Sequence, residues 1–325
     1  MDPSRVDPVR VAEVLVGAAT VGGVATDTQL AVVGALLDGF LDATVDVASV
    51  VPIEPDGFDP AEFGSLQDES RRMVGNMVAM ITLCRDPLTI EQIDRADAYA
   101  KVLGHGGPEI HVGRVSLEEG PEAGYWDLQT RVPTENPEEW DRAIARPEDG
   151  VPADVTDAQV YEIVSGWRNL PEGTLGRAFV EFYDRFGFDL PGTPGTTGVQ
   201  RPASWRVYHD MSHVIAGYGT SGVGELAVTA MTYAINRDDD RWAALMNAVA
   251  VYQAGMTPGE MFGFVGKSAA LARPGATDVL TDALKRGRRC TGDFSRAHFA
   301  ALAPLPIEAV RATFGVPPVT AALAS

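Results

Sequence analysis

Apolar residues recur at every third or fourth position through most of the chain, which is the spacing of one face of an amphipathic α-helix. Residues 30–41 show this spacing clearly, and a methionine-rich face follows over residues 73–83. Residues 11–25 are apolar almost throughout, which indicates a buried helix. No alternation of apolar and polar residues extends beyond a few positions, so no strand is predicted. The pattern predicts an all-α protein.

Residues that typically begin and end helices stand at the limits of several periodic segments. Thr89 and Gln92 have the spacing of a capping box, in which side chains satisfy free N–H groups of the first helical turn. Gly104 stands where that helix should end, because glycine readily adopts the left-handed conformation of a helix C-terminus. The same kinds of signal predict helices over residues 89–104, 156–167, 175–186, 225–236, 240–254, 257–273 and 306–315.

A stretch with little periodicity divides the chain. Between residues 106 and 154, Gly, Pro and acidic residues interrupt the helical pattern, as they do in linkers. The sequence therefore predicts a helical N-terminal module over residues 1–105, a linker or irregular region over 106–154, and a second helical domain over 155–325. A length of 325 residues is compatible with two domains.

Composition and charge limit the classes of function. The chain has 26 basic and 45 acidic residues, a formal net charge of −19, so nucleic-acid binding is not expected. Cys84 and Cys290 are the only cysteines, and they indicate neither a disulfide framework nor a thiolate metal site. No apolar run is long enough to span a bilayer. We expect a cytoplasmic protein, with peripheral contact at the inner face of the membrane left open.

The strongest candidates for a functional site are His209 and His213, the first and last residues of the segment His-Asp-Met-Ser-His. On a helix, residues four apart lie one above the other, so both imidazoles can point at a single ion. Residues 217–224 contain four glycines, which favour a turn over a continued helix. Glu225 follows as the first residue of a new periodic segment, placed to bring its carboxylate back over the first helix.

Two imidazoles with one or two carboxylates suit a divalent ion and leave coordination positions open. Zinc is the first candidate, and manganese, iron and cobalt are the others. Asp210 is ambiguous: it lies about 100° around the helix from His209, where it could be a further ligand or could orient an imidazole. The plain alternative is that the two histidines are surface or core-edge residues and that the glycines form only a turn.

Other metal and nucleotide sites do not match the residues. A zincin requires Glu directly after the first His, where this chain has Asp210, and the additional His of metzincins is missing. A phosphohydrolase of the His…His-Asp…Asp type requires an upstream helical His, and the nearest one is His111, across the predicted linker. The glycines of residues 217–224 follow a helix and have no accompanying Lys, so neither a Rossmann nor a P-loop fingerprint is present.

Three ordered motifs resemble the coenzyme Q biosynthesis protein 4 family. The string His-Asp-x-x-His, then eleven residues, then Glu resembles that family's signature, with Arg206 three residues ahead of it. Residues 170–177, Leu-Pro-Glu-Gly-Thr-Leu-Gly-Arg, resemble a second family segment. Residues 285–288 and 306–314 run parallel to the family as well, so that the resemblance covers about residues 155–318.

This resemblance implies a part in ubiquinone biosynthesis, where family members are associated with removing the carboxylate of a polyprenylated hydroxybenzoate, with or without its replacement by hydroxyl. It implies that His209, Asp210, His213 and Glu225 are metal ligands. The implied partners are a prenylated aromatic or other lipid-like substrate, other quinone-biosynthesis enzymes and further copies of the chain. Residues 1–150 depart from the family's usual N-terminal helices, so no partner is inferred through them.

Several charged residues have two interpretations. Arg206 lies three residues before His209 and is the candidate catalytic residue, because it could neutralise a substrate carboxylate; the alternative is a surface salt bridge. Arg286, Arg288 and Arg289 form the one basic cluster. They could meet an anionic headgroup, or they could complement the dipole at a helix C-terminus.

Apolar residues near the motif are ambiguous in the same way. Trp205 and Tyr218 could line an aromatic pocket or could be packing residues. The apolar faces over residues 226–235 and 245–251 could form a groove for a prenyl tail or could be core. Three functions are therefore open: a metal-dependent decarboxylase, oxidative or not; a non-catalytic lipid-binding scaffold for a quinone-biosynthesis complex; and a family member that serves another aromatic pathway.

Overall fold

The computed structural model describes residues 7–57, 59, 67–135, 155–195, 202–236, 239–257 and 269–319. It confirms the all-α prediction, because these residues contain helices and two isolated β-bridges but no strand. The α-helices are α1 (Pro8–Ala19), α2 (Asp27–Leu41), α3 (Gln67–Leu83), α4 (Ile90–Leu103), α5 (Gly107–Glu119), α6 (Pro121–Glu135), α7 (Asp157–Gly166), α8 (Leu175–Phe186), α9 (Ala203–Ala216), α10 (Gly222–Asn236), α11 (Asp239–Ala248), α12 (Ala276–Arg289), α13 (Phe299–Leu302) and α14 (Ile307–Thr313). Among these helices, none combines the length and the hydropathy that a membrane crossing requires.

The helix starts predicted at Thr89 and Thr156 are confirmed, with one instructive difference. Thr156 and Gln159 form a complete capping box at the start of α7. Thr89 caps α4 by accepting a hydrogen bond from the Gln92 N–H, but the Gln92 side chain does not reach back. Its amide is fully buried and donates to the carbonyl of Ala18 in α1, at 2.8 Å. A tertiary hydrogen bond has replaced the local one that the sequence pattern predicts.

The prediction of a linker or irregular region is wrong over residues 107–135, which form α5 and α6. Gly106 and Gly120 directly precede the two helices and have φ values of 92° and 107°. Pro108 and Pro121 lie in the first helical turns, where the missing N–H of proline costs nothing. The glycines and prolines that suggested a linker therefore mark the limits of two short helices. The division of the chain into domains stays a prediction.

The predicted helix over residues 240–254 is divided into two parts. The α-helix α11 ends at Ala248, and a π-helical turn, Val249–Gln253, continues it. Of the helix predicted over residues 257–273, positions 258–268 lie outside the described residues, and Ala270–Ala272 form a 3₁₀ turn.

Helix α12 lies between the two halves of the chain. A Cβ atom on Gly287 would stand 2.3 Å from the Met231 carbonyl oxygen of α10, and one on Gly39 of α2 would stand 2.6 Å from Leu284 Cδ1. Both contacts require a helix surface without a side chain. Two ion pairs also join α12 to α2, from Lys285 to Asp38 and from Arg288 to Asp42, each at 2.6 Å.

The apolar faces that could have formed a groove for a prenyl tail are core. Over residues 226–235 and 245–251, the central side chains are at most 1% exposed: Leu226, Ala227, Val228, Met231, Leu245, Met246 and Val249. They belong to one continuous cluster of buried apolar residues that includes side chains of α1 to α4.

We predict that Gly287→Ala lowers the free energy of unfolding by about 2 kcal/mol, because the added methyl group must displace the α10 backbone. The matched control is Gly166→Ala at the end of α7, where a Cβ would meet no atom within 4 Å. That change should leave stability unchanged or raise it by up to about 1 kcal/mol. Urea unfolding followed by circular dichroism measures both values, and equal effects of the two substitutions would contradict the packing described for α12.

Candidate metal centre

Three side chains on α9 and α10 bring their donor atoms together. His209 Nε2 lies 3.0 Å from Glu225 Oε2, and His213 Nε2 lies 3.3 Å from the same oxygen and 3.3 Å from His209 Nε2. With metal–ligand bonds of about 2.0–2.1 Å, neighbouring ligand atoms stand about 3.0 Å apart in octahedral and about 3.4 Å apart in tetrahedral coordination. The triangle therefore has the size of one face of a coordination shell, and its His209 and Glu225 side chains are 25% and 14% exposed to solvent. We call these three residues the ligand triad.

The local sequence explains how the triad forms. Positions 209 and 213 are four apart on α9, so their side chains share one helix face. Gly217 ends α9 with φ 81°, and its N–H donates to the His213 carbonyl at 2.7 Å. The chain then doubles back so tightly that a Cβ on Gly224 would lie 2.0 Å from the Gly219 carbonyl oxygen. This turn places Glu225 in the first turn of α10, beside the two imidazoles.

Burial and charge favour an ionised carboxylate in the triad. The His213 side chain is fully buried, and the Glu225 side chain is only 14% exposed. Burial raises the pKa of Glu225, but the positive charges that His213 and His209 carry when protonated, together with hydrogen bonds from both rings, lower it by a larger amount. The net effect is a pKa well below the usual value of a glutamic acid. A buried carboxylate that stays charged next to two imidazoles is suited to a cation.

Neighbouring groups orient both imidazoles. His213 Nδ1 lies 3.3 Å from the Tyr218 carbonyl oxygen. When Nδ1 carries the ring proton, it donates to this carbonyl and leaves the Nε2 lone pair free to bind an ion at the centre of the triad. The His209 ring stacks on the Trp205 indole, with centroids 5.1 Å apart and planes inclined by 8°. Trp205 is 43% exposed, so the open side of the triad has an aromatic edge.

Asp210 lies next to the triad and is held by a tyrosine. Its ligand oxygen lies within 4.8 Å of the ligand nitrogens of His209 and His213. The hydroxyl of Tyr183 in α8 donates a hydrogen bond to Asp210 Oδ2. Burial raises the pKa of Tyr183, and the charge of Asp210 raises it further, so the phenol remains a donor. One oxygen of Asp210 is thus engaged by Tyr183, and the other can orient a ligand or bind the ion.

Arg206 lies beside Tyr183, the residue that holds Asp210. Its guanidinium donates from Nη2 to the Asp189 carbonyl at 3.0 Å and stands 5.9 Å from the centroid of the Tyr183 ring. The structure therefore brings the five predicted residues into one region: the triad at the centre, Asp210 beside it, and Arg206 joined to it through Tyr183. Metal binding by these residues, and catalysis by Arg206, stay predictions.

The basic cluster of α12 has a structural role that neither interpretation of the sequence anticipated. Arg286 is buried, and its Nη2 donates to the Ala216 carbonyl at the end of α9, at 2.7 Å. Arg311 of α14 donates to the neighbouring carbonyls of Ile215 and Val214, both at 3.0 Å. Two arginines thus supply the donors that the last turn of α9 lacks.

Arg288 of the same cluster and the aromatic residue Tyr218 also have structural roles. Arg288 donates to the Gly39 carbonyl and pairs with Asp42, so it too connects helices. Tyr218 is buried, its hydroxyl donates to Asp282, and the Arg286 guanidinium lies 5.0 Å from its ring centroid. Tyr218 is therefore a packing residue whose carbonyl contacts His213 Nδ1. Trp205 is the aromatic residue that borders the site.

The supporting residues could not be predicted from sequence spacing. Tyr183 lies in the helix predicted over residues 175–186, and its bond to Asp210 spans 27 positions of sequence. Arg286 looked like part of a surface cluster, although its bond to Ala216 spans 70 positions. Only the packing of helices brings these groups together.

No protein-family model matches the chain, and no curated protein matches it. The crystal structure of a protein from Nostoc punctiforme PCC 73102, provisionally named a ubiquinone biosynthesis protein, is similar to it. The two chains are 17% identical, the TM-score is 0.34, and the similarity covers 75% of this chain and 98% of that chain. Membership of the coenzyme Q biosynthesis protein 4 family stays a prediction from the sequence motifs.

We predict that Arg286→Lys lowers the free energy of unfolding by about 2 kcal/mol, because one ammonium group cannot reproduce the planar set of donors to buried carbonyls. Arg289→Lys, three residues later on the exposed face of α12, should change stability by less than about 0.5 kcal/mol. Urea unfolding of both variants measures the difference. A loss of similar size in the two proteins would show that the buried contacts of Arg286 do not stabilise the end of α9.

Proposed function

We propose that this protein is a metal-dependent decarboxylase, oxidative or not, that acts on a polyprenylated hydroxybenzoate or a related aromatic acid in ubiquinone-type quinone biosynthesis. The observation that carries the proposal is the size and chemistry of the ligand triad formed by His209, His213 and Glu225. Two neutral imidazoles and one carboxylate form a donor set for a divalent ion, zinc first and manganese, iron or cobalt next. The sequence motifs that resemble coenzyme Q biosynthesis protein 4 supply the substrate class.

The residues around the triad fit the binding of an aromatic acid. A divalent ion held by the triad and, through its free oxygen, Asp210 would act as a Lewis acid and a template for the carboxylate or phenolate. Arg206 carries a planar guanidinium that can pair with a carboxylate through two hydrogen bonds. Tyr183 holds Asp210 in place by its hydrogen bond, and Trp205 offers an exposed ring for stacking.

A series of aromatic contacts connects the triad to the surface, which favours a substrate with a lipid-like part. The Phe182 ring lies 5.9 Å from the His213 ring, Phe186 lies 5.0 Å from Phe182, and Phe188 lies 6.1 Å from Phe186. Phe188 is 44% exposed. The same surface supports the second candidate function, a non-catalytic scaffold that binds lipid at or near the membrane.

We predict that protein purified without a metal-affinity column contains nearly one divalent ion per chain, and that His213→Ala and Glu225→Gln each abolish this content. The reason is that each substitution removes one corner of the triad. Elemental mass spectrometry measures the content, and thermal unfolding with added Zn²⁺, Mn²⁺, Fe²⁺ or Co²⁺ measures the stabilisation that binding confers.

The control for this experiment is His111→Ala in α5, which removes an imidazole outside the triad and should leave the content unchanged. Circular dichroism should report an unchanged helical signal in all variants. Wild-type protein that holds no ion and gains no thermal stability with any of the four would refute the metal-dependent function.

We predict that metal-loaded protein releases CO₂ from a prenylated 4-hydroxybenzoate. If the reaction is oxidative, CO₂ is released in air but not under argon; if it is not oxidative, CO₂ is released under both gases. Arg206→Ala should lower kcat/KM roughly 10- to 100-fold without loss of metal, because one charge-assisted hydrogen-bonding group to the substrate is removed. Arg177→Ala, an exposed position of α8 paired with Glu181, should leave kcat/KM within about twofold of the wild type.

Two outcomes of the assay favour the other functions. Metal-loaded protein without turnover, but with sedimentation on phosphatidylcholine vesicles that Phe188→Ser abolishes, would favour the lipid-binding scaffold. Turnover of unprenylated hydroxybenzoates at rates equal to those of prenylated ones would favour another aromatic pathway.

A further inference from the structure

Tyr252 lies beside the ligand triad, on a turn that the sequence analysis did not single out. It belongs to the π-helical turn Val249–Gln253, which packs against α10. A Cβ atom on Gly222 would stand 3.2 Å from Tyr252 Cδ1, so the ring lies directly against the first turn of α10. Gly222 and Glu225 are three residues apart and share one face of that helix. The Tyr252 ring therefore borders the turn of α10 that carries Glu225.

The π-helical turn is held in place from two directions. Gln253 is 2% exposed, and its Oε1 accepts a hydrogen bond from the Leu271 N–H at 2.8 Å. Its Nε2 faces the Cys84 carbonyl, next to the end of α3, at 3.4 Å. A π-turn shifts the helical register by one residue and is common at functional sites. Because Gln253 is anchored, the position of the neighbouring Tyr252 is fixed by the fold and not by a ligand.

The hydroxyl of Tyr252 differs from those of Tyr99, Tyr183 and Tyr218. Tyr99, Tyr183 and Tyr218 each donate to a protein oxygen, whereas Tyr252 has no hydrogen bond to any part of the chain that the structure describes. Burial raises the pKa of Tyr252, and the charges of Glu225 and Asp210 raise it further, so the group stays protonated. A partly buried phenol that remains a donor and has no partner in the described chain is free to donate to a bound ligand.

We propose that the Tyr252 hydroxyl donates a hydrogen bond to a carboxylate oxygen of the ligand bound at the open face of the metal centre. The two protein carboxylates nearby would repel an anionic ligand, and a neutral donor at this position offsets that repulsion without adding charge. Tyr252 would thus make the centre prefer oxyanions to neutral metal ligands. This inference rests on the proposed metal-dependent function, because it requires an ion in the triad.

The test uses the full-length protein loaded with Co²⁺, whose visible absorption bands change when a new ligand enters the coordination shell. Benzoate is the oxyanion probe, and imidazole is the control ligand, because it binds metals through nitrogen and offers no acceptor to a phenol. Tyr252→Phe removes only the hydroxyl. Tyr161→Phe, on α7, removes a phenol hydroxyl elsewhere.

We predict that Tyr252→Phe weakens benzoate binding roughly tenfold, the effect of one hydrogen bond to a charged group, and leaves imidazole binding and Co²⁺ content unchanged. Tyr161→Phe should change none of the three. Equal benzoate affinity in wild type and Tyr252→Phe, or an equal loss for benzoate and imidazole, would overturn the role of Tyr252. Wild-type protein that binds Co²⁺ but not benzoate would overturn it as well. Absence of Co²⁺ bands in the wild type would instead refute the metal centre itself.

Discussion

The carbonyl groups at the carboxyl end of α9 have no partners within their own helix, and the way they find donors organises the second half of the chain. Arg311 pairs with Val214 and Ile215, and Arg286 pairs with Ala216. Both guanidiniums come from helices far along the sequence. The last turn of α9 contains His213, so the same hydrogen bonds that satisfy the backbone also keep one corner of the ligand triad from fraying.

This dependence extends into the N-terminal half of the chain. Arg286 reaches Ala216 only because α12 is seated between α10 and α2, where glycines permit close approach and ion pairs add attraction between helices. Gln253 makes a second connection, through its contact with Cys84. The first four helices therefore help to support the triad, although none of its three residues lies on them. A substitution in α2 that shifts α12 will therefore also shift Arg286 and its contact with the end of α9.

The features that the sequence could predict are those that depend on neighbouring residues. Two histidines four apart, a glycine-rich turn and Glu225 lie within one short segment, and helical geometry alone is enough to bring them together. The helices α5 and α6 were missed for an equally local reason, since Gly106 and Pro108 carry the same signature at a helix start as in a linker.

The supporting groups required the tertiary structure. Three supporting residues come from other parts of the fold: Tyr183 from α8, Arg286 from α12 and Tyr252 from the π-helical turn. Their positions near the triad cannot be predicted from their spacing along the chain. Gln92 shows the opposite effect, because a strong local signal for a capping box was overridden by a buried acceptor on α1. Local rules therefore predicted that His209, His213 and Glu225 lie together, whereas the residues that orient them depend on how the helices pack.

The stacking of Trp205 on His209 also makes the site optically accessible. Indole emission is sensitive to a ring in parallel contact, and the electronic state of that imidazole changes when its nitrogen binds an ion. An ion that binds at the triad should therefore change the emission of Trp205, one of the five tryptophans of the chain. A paramagnetic ion would quench that emission, whereas a closed-shell ion would shift it, so the Trp205 contribution to the fluorescence can separate the two classes of metal.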